Sequence, residues 1–395
     1  IYMTRVQRER FASKEEYARQ AGVYPYFHCL ESRQDVEVVM EGRRRIMLGS
    51  NNYLGLTACP EVVEAGRSAL GKYGTGCSGS RFLNGTLDLH LELEAELADF
   101  LGKDEALTFG TGFQTNLGVI SALVGRRDYL ICDKESHASV CCAAQMCLGK
   151  LLRFRHNDMT HLGAELKSVP DGCGALVVVD GVFSLGGDLA DLPEICRLAH
   201  AYGAAVMVDD AHGLGVIGPG GRGTAHHFGL ADEVDILMGT FSKSIASLGG
   251  YVAANRTVID FLRHASAPFI FSASIPPASA AVALAALRHL RRHPELPDHL
   301  RTIADAARAA FVRRGIPLKS AAETNITPIL PVFIGGTPET LAVAQRVFEA
   351  GVFTNPFIQP GVQEGEGLLR TSFMATHTPA LIEEAAEVLA EALRC

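Results

Sequence analysis

Lys243 lies in the run GTFSKSIASLGG (239–250), directly after an apolar stretch, DILMG (235–239), that reads as a strand. A lysine amine can form a Schiff base with a carbonyl. The hydroxyls and backbone N–H groups of Thr240, Ser242 and Ser244 beside it can hold a phosphate. Pyridoxal phosphate asks for both at one place, an aldehyde for the lysine and a phosphate for the small donors. A chain that meets both demands does carbanion chemistry on an amino acid.

The same logic extends to other strand ends, because ligands of open parallel sheets bind beyond the carboxyl ends of the strands. GTGFQTN (110–116) follows EALTF, DKESHAS (133–139) follows DYLIC, GVFSLGGD (181–188) follows ALVVVD, and DAHGLG (210–215) follows the AVMVD strand. Asp209, closing a buried strand, can face a pyridine nitrogen, keep it protonated and make the ring an electron sink. Alone it would read as a turn or capping aspartate; with His212 and Lys243 nearby it reads as part of a site. His212 and Ser184 can hydrogen-bond a ring hydroxyl, and His137 can stack on the ring, although a lone His or Ser is more often structural. Gly112 and Phe113, opening a helix after a strand, offer N–H groups to a phosphate. Arg370, in LLRTSFMATHT, suits a bidentate clamp on a substrate carboxylate, and equally a surface ion pair.

The elements that must position these residues follow from the pattern. Residues 1–30 read as a polar helix followed by an aromatic turn. VEVVMEGRRRIMLGS (36–50) alternates like a hairpin turning at Glu41-Gly42. From about residue 86, helices alternate with fully apolar strands at 105–109, 128–132, 151–154, 175–180, 205–209 and 235–239. That pattern predicts an α/β protein with a mostly parallel sheet covered on both faces. A Pro-containing segment, FIFSASIPPAS (269–279), leads into an Ala/Leu-rich helix, and the remainder mixes helices with the strands ITPILPVFIG and GLLRTSF. The expected division is an N-terminal segment (1–54), a large domain (55–280) and a smaller C-terminal α+β domain (281–395).

Composition narrows the function classes. The 395 residues are 48% hydrophobic and 20% charged, as in a globular protein with a large core. The net charge of −8, with no basic block, argues against nucleic acid as the main partner. No apolar run reaches the roughly 18 residues of a spanning helix, and the charged start lacks the apolar core of a signal peptide. The chain begins at Ile1 rather than a methionine, as a piece of a longer protein would. Its ten cysteines show no paired C-x-x-C, so buried reduced thiols are expected, and no metal. GTGCSG (74–79) matches a dinucleotide-binding fingerprint but follows a helical segment, SALGKY, where that motif needs a strand. GLGVIGPGGRG (213–223) reads as a flexible loop over the site.

Taken in order, SNNYLGL, SHAS, DGVFSLGGD, VDDAHGLGVIG, GTFSKSIASLGG and LRTSFMATHT resemble the α-oxoamine synthases, pyridoxal-phosphate enzymes of the type I aminotransferase fold, from about residue 20 to the end. PYFHCLES, SRFLNGTLDLH and NPFIQP with MATHT look most like the bacterial serine palmitoyltransferases within that family. The resemblance implies that Lys243 is the Schiff-base lysine and base, that Asp209 pairs with the pyridine nitrogen, and that His212 and Ser184 contact the ring hydroxyl. It implies that His137 stacks on the ring and that Gly112, Phe113, Thr240 and Ser242 hold the phosphate. Ser272 and Ser274 match a segment that reaches the neighbouring subunit's phosphate, which implies a homodimer with shared sites. Asn52 and Arg370 would bind the amino-acid carboxylate.

The implied reaction is a decarboxylating Claisen-type condensation of an amino acid, serine first, with a long-chain acyl thioester such as palmitoyl-CoA. It releases 3-ketodihydrosphingosine, CO₂ and free thiol. Siblings that use glycine or alanine, or an acyl group on a carrier protein, are the alternatives. A cytoplasmic place of work is expected, with a long acyl donor favouring a lipid-facing mouth peripheral to the membrane. One departure stands out: many members carry a P-P-x-x-P type loop before the final arginine, and here it is NPFIQPGVQEGEG (355–367).

Overall fold

The computed structural model describes Arg19, residues 22–319 and residues 326–394. The expected N-terminal polar helix therefore lies, apart from Arg19, outside the described residues. The hairpin forms as β1 (Glu37–Met40) and β2 (Arg43–Met47). Its two turn residues, Glu41 and Gly42, both hold positive φ (51° and 69°), the geometry that matches strand twist in a two-residue hairpin.

The centre is one seven-stranded sheet. Its members are β3 (Glu105–Phe109), β4 (Tyr129–Asp133), β5 (Lys150–Phe154), β6 (Ala175–Asp180), β7 (Ala205–Asp209), β8 (Ile236–Thr240) and β9 (Gly250–Ala254), in the order β3-β9-β8-β7-β6-β4-β5. The neighbours from β8 through β5 pair in parallel, and β9 is antiparallel to both β8 and β3. Alternate residues feed opposite faces: Leu176 and Val178 pack with Leu107 and Met207, while Val177 and Val179 pack with Val206 and Leu237. Each fully buried Val or Leu contributes roughly 1.5–3 kcal/mol relative to exposure. With both faces apolar, these strands show no polar alternation, which is why they read as continuous runs.

β9 carries too weak a pattern, GYVAA, to be expected from the sequence. Gly250 sets where it starts: a Cβ there would lie 2.7 Å from the Gly112 Cα and 2.5 Å from Thr115 Oγ1. The strand can therefore press against the start of the helix Gly112–Leu123.

The remaining strands are β10 (Ile329–Gly335), β11 (Val352–Phe353), β12 (Asn355–Phe357) and β13 (Gly367–Ser372). β10, β13 and β12 form an antiparallel sheet, and β11 runs parallel to β2. The N-terminal hairpin thus joins the C-terminal layer, where Ile46 and Leu48 share a core with Phe311, Leu369 and Phe373. The helix Pro277–Arg292 packs instead on the helices Pro60–Tyr73 and Asp88–Leu101 of the large sheet's surroundings.

The glycine-rich run 213–223, expected as a flexible loop over the site, is packed into the structure. Leu214, Val216 and Ile217 are buried, and the Asp210 carboxylate accepts from both the backbone and the hydroxyl of Thr224 (2.7 and 2.6 Å). The glycines serve close packing: a Cβ on Gly223 would lie 1.9 Å from Asp210 Oδ2.

Candidate active site

The carboxyl ends of β6, β7 and β8 open into an inner cavity of about 290 Å³. Asp209 stands in it, buried, with both oxygens aimed: Oδ2 accepts from Asn116 Nδ2 at 2.7 Å and Oδ1 from the Ala211 N–H at 3.1 Å. Asn116 sits on the helix Gly112–Leu123, and its amide also donates to Ser139 Oγ at 2.8 Å. Asp180 is the register partner of Asp209 on β6 and accepts from the His137 N–H at 3.2 Å. Burial, and then the adjacent Asp209 carboxylate, lifts Asp180 well above the carboxylate range. Of these two paired carboxylates, Asp209 accepts the bonds from Asn116 and Ala211 and Asp180 the bond from His137.

The helix Gly112–Leu123 forms one end of this cavity. Thr111 caps it, accepting from the Gln114 N–H at 3.0 Å, which leaves the N–H groups of Gly112 and Phe113 for a ligand. Thr240 Oγ1 meets Ser242 Oγ at 2.9 Å and donates to Gly249 O, also 2.9 Å. Space here is tight, since a Cβ on Gly112 would come within 2.9 Å of the Thr240 Cβ. A helix N-terminus with two hydroxyls beside it suits a phosphate.

A second, outer chamber of about 670 Å³ adjoins the first, and His137, His212 and Lys243 line both. Lys243 Nζ lies 2.8 Å from His212 Nε2. Burial is the main cause that lowers the lysine to about 8, with Arg370 adding to it against Asp209 and Asp180. Burial, then Lys243, Arg370 and His137, hold His212 well below the usual imidazole value, so it is neutral. His137 caps the helix Ala138–Met146, and its Nδ1 is 2.7 Å from Ser139 Oγ.

Arg370, on β13, reaches the outer chamber. Its Nε donates to the Ser184 carbonyl at 2.5 Å and its Nη2 to Tyr53 Oη at 3.0 Å, leaving further N–H groups for a carboxylate. The loop 355–367 forms the chamber's outer wall through Asn355, Phe357 and Pro360. From there an apolar groove of about 1030 Å³ continues past Tyr24, Tyr26, Leu341 and Ile358.

The structure thus brings together Lys243, Asp209, His212, His137, Gly112, Phe113, Thr240 and Ser242 at the inner cavity. Ser184 and Arg370 line the outer chamber. Three expected residues stand elsewhere within this chain. Asn52 Nδ2 donates to Thr57 Oγ1 at 2.7 Å, and it is Asn51 that lines the outer chamber. Ser272 Oγ accepts from Gln114 Nε2 at 3.4 Å, and Ser274 Oγ donates to the Gly85 carbonyl at 2.6 Å.

Sequence reasoning missed Tyr53, Asn116 and Asp180. Asp180 closes an apolar strand as Asp209 does, so the signal was there. Asn116 lies four residues from Gly112, one helical turn on, so the helix that Gly112 opens puts both on the cavity side. Tyr53 gave no signal, because it reaches the site from a segment 190 residues away from Lys243 in sequence (243 minus 53).

The cavity suits pyridoxal phosphate on its donor set alone: a neutralisable lysine, an oriented carboxylate in the same cavity, and a helix N-terminus too crowded for side chains but open to an anion. The buried Asn116 Oδ1 also lacks a partner.

The large sheet ordered β3-β9-β8-β7-β6-β4-β5, with a lysine after β8, is the fold of the pyridoxal-phosphate-dependent aminotransferases. The chain belongs to the aminotransferase class I and II family, whose profile matches residues 43–389. A serine palmitoyltransferase from Sphingobacterium spiritivorum is 48% identical over 94% of this chain and 92% of its own length. Another from Bacteroides thetaiotaomicron is 49% identical over 94% of each chain. A high-resolution structure of SPT with PLP superposes with a TM-score of 0.95, covering 98% of both chains at 36% identity.

Proposed function

We propose that this protein is a pyridoxal-phosphate-dependent acyltransferase of the α-oxoamine synthase type. It condenses L-serine with a long-chain acyl thioester such as palmitoyl-CoA and releases 3-ketodihydrosphingosine, CO₂ and free thiol. The observation that carries the reading is the pair of chambers that meet at His137, His212 and Lys243. The inner one has the donors for the cofactor, and the outer one has Arg370 and opens into an apolar groove. The names of the similar proteins supply the serine and the palmitoyl group.

Bound pyridoxal phosphate would supply an electron sink for a carbanion at the amino acid's Cα. The protein's residues do the rest. Gly112, Phe113, Thr240 and Ser242 hold the phosphate, Asp209 keeps the ring nitrogen protonated, and His212 with Ser184 addresses the ring hydroxyl. His137 forms a wall of the ring's site. Arg370 holds the substrate carboxylate in the outer chamber, and Lys243 Nζ takes the Cα proton. A base near 8 is poised for that transfer at working pH. The groove beside Leu341 and Ile358 takes the acyl chain; at about 1030 Å³ it stands at the upper end of the ~300–1,000 Å³ of ordinary ligand pockets.

The reading includes a homodimer. Phe271 is exposed beside Ser272 and Ser274, and Phe82 and Leu83 are exposed on the segment that Ser80 bridges to Ala273; a second copy would cover them and bring those serines to the other site. It also includes a cytoplasmic place of work with peripheral membrane contact where a long acyl donor is collected. No described helix is long and apolar enough to cross a membrane.

Lys243→Ala tests the reading: the variant should lose the cofactor's visible absorbance and all turnover, and a variant that keeps both sinks the claim. Titrating the native protein with Gly, Ala and Ser separates serine use from that of the siblings.

A further inference from the structure

β5 is the outermost strand of the large sheet, bonded on its inner side to β4 and on its outer side to no described strand. Its carboxyl end adjoins the outer chamber: the Lys134 N–H donates to the Phe154 carbonyl at 2.9 Å, and Lys134 lines the chamber. Lys150 and Arg153 are exposed along the strand. At its amino end, the turn before β5 packs on the turn before β4. A Cβ on Gly149 would lie 2.7 Å from the Asp128 carbonyl oxygen and 3.0 Å from that of Gly125. The exposed Arg126 and Arg127, on that second turn, therefore stand near Lys150.

Lys134, Arg153, Lys150, Arg126 and Arg127 thus follow one edge of a chain whose net charge is −8. None of them pairs with a carboxylate among the described residues. Lys150 Nζ donates to Tyr129 Oη at 3.3 Å, and Arg153 Nη2 to Cys141 Sγ at 3.1 Å. Of the acids on the same turns, Asp128 accepts from the N–H groups of Gly125 and Gly174, and Glu135 lies 4.0 Å from His156 Nε2.

Apolar side chains stand uncovered among these cations. Met146, Leu148 and Leu151 are 53%, 60% and 38% exposed. Charges on an edge strand serve to prevent edge-to-edge pairing, but that purpose calls for no exposed methionine or leucine between them. Leucine side chains flanked by lysine and arginine are what enters the headgroup region of an anionic bilayer, the cations meeting lipid phosphates and the apolar groups passing below them.

We propose that the β5 edge is a docking surface for an anionic phospholipid membrane, with Met146, Leu148 and Leu151 entering the interface and Arg126, Arg127, Lys150 and Arg153 on the headgroups. This rests on the long acyl donor of the proposed function. Such a donor partitions into lipid, and a bilayer lying along β5 reaches the wall of the outer chamber at Lys134. The row along the strand is about 16 Å long, and it is straight, as a flat surface requires. The proposed dimer leaves it free. Phe82 and Leu83 follow Arg81, whose Nη1 donates to Thr108 Oγ1 on β3, the opposite edge of the sheet. Six strand spacings, roughly 29 Å, separate the two edges.

The test is cosedimentation of the holoenzyme with vesicles of phosphatidylcholine, with and without phosphatidylglycerol. The native protein should bind only the anionic vesicles, and about 0.5 M salt should release most of it. Each cation at the surface is worth roughly fivefold in binding, so Arg126→Gln with Arg127→Gln should weaken it at least tenfold. Leu148→Gln should weaken it several-fold without changing its salt dependence. Arg67→Gln with Arg291→Gln, the same change in charge on exposed helices away from this edge, should bind as the native protein does. No binding by the native protein, equal binding to both kinds of vesicle, or an equal loss in the Arg67/Arg291 pair overturns the proposal. Turnover of serine with a soluble ten-carbon acyl-CoA, without vesicles, is read separately and should be native in all these variants. A raised KM for that donor in the Arg126/Arg127 pair would mean that the cations serve the thioester's own phosphates, and the proposal falls. Vesicle binding that depends on this edge, beside no product from serine, would sink the proposed function and leave the docking surface standing.

Discussion

Asn116 and Asp209 are 93 residues apart and meet through a hydrogen bond of 2.7 Å from the amide to Oδ2. The bond orients the Asp209 carboxylate, because the second amide contact, to Ser139, locks the asparagine rotamer. Asn116→Ala should therefore lower kcat about tenfold, the worth of one hydrogen bond to a charged group, with little change in the amino acid's KM. Asp209→Asn removes the charge itself and should cost about 10²-fold or more. Steady-state kinetics of both variants check this, and an Asn116→Ala variant with native kcat would remove the asparagine from the site.

Lys243 sets the pH dependence of cofactor capture. A lysine lowered to about 8 is mostly protonated below that pH and mostly free above it. The second-order rate at which the apo-protein takes up pyridoxal phosphate should rise about tenfold per unit below pH 8, then level off. Stopped-flow absorbance measures it. A rate still climbing steeply between pH 9 and 10 would mean that the lysine has its ordinary basicity and that burial does not lower it.

Much of this was legible. β3, β6 and β7 fall on the expected residues, since an apolar run bounded by glycine or aspartate has few other uses in a sheet covered on both faces. Lys243, Asp209 and His212 share the carboxyl ends of adjacent strands, so finding the strands found the site. What was hidden is relational. The run 213–223 looked like an open loop because glycine composition does not reveal that Asp210 and Thr224 close it from within. Tyr53 and Asn51 enter from the N-terminal segment, and no local pattern tells which of two adjacent asparagines turns toward the chamber.

His156 holds together the two loops that carry His137 and Ser184. Its Nδ1 is 3.1 Å from Asp133 Oδ1 and its Nε2 is 2.8 Å from Asp188 Oδ2. Burial would lower this imidazole, but the two carboxylates win and lift it to about 10. A folded value above the unfolded one stabilises fully below pH ~6.5 and loses that stabilisation as pH climbs through 10. His156→Gln should thus be less stable than the native protein by about 2–3 kcal/mol at pH 6, with the gap narrowing steadily toward pH 10. Paired denaturant titrations across that range measure it. A gap that is flat with pH would show that the ring contributes by packing against Phe183 rather than by charge.

The apolar groove makes the last prediction, about acyl length. Ile358 is half-buried on the loop that replaces the proline-rich sequence, and it lines the groove beyond the outer chamber together with Tyr26 and Leu341. A larger side chain there should leave the cofactor site untouched, since the groove and the inner cavity share no lining residue. It should shorten the space for the distal part of a long chain. Ile358→Trp should therefore lower kcat/KM for a sixteen-carbon acyl-CoA relative to a ten-carbon one by about tenfold, the discrimination expected for a few methylenes displaced from an apolar wall. The serine KM and the cofactor absorbance should not move. An equal loss on both chain lengths would mean that the loop acts on the shared thioester end, and the acyl chain would then have to leave the chamber by another route.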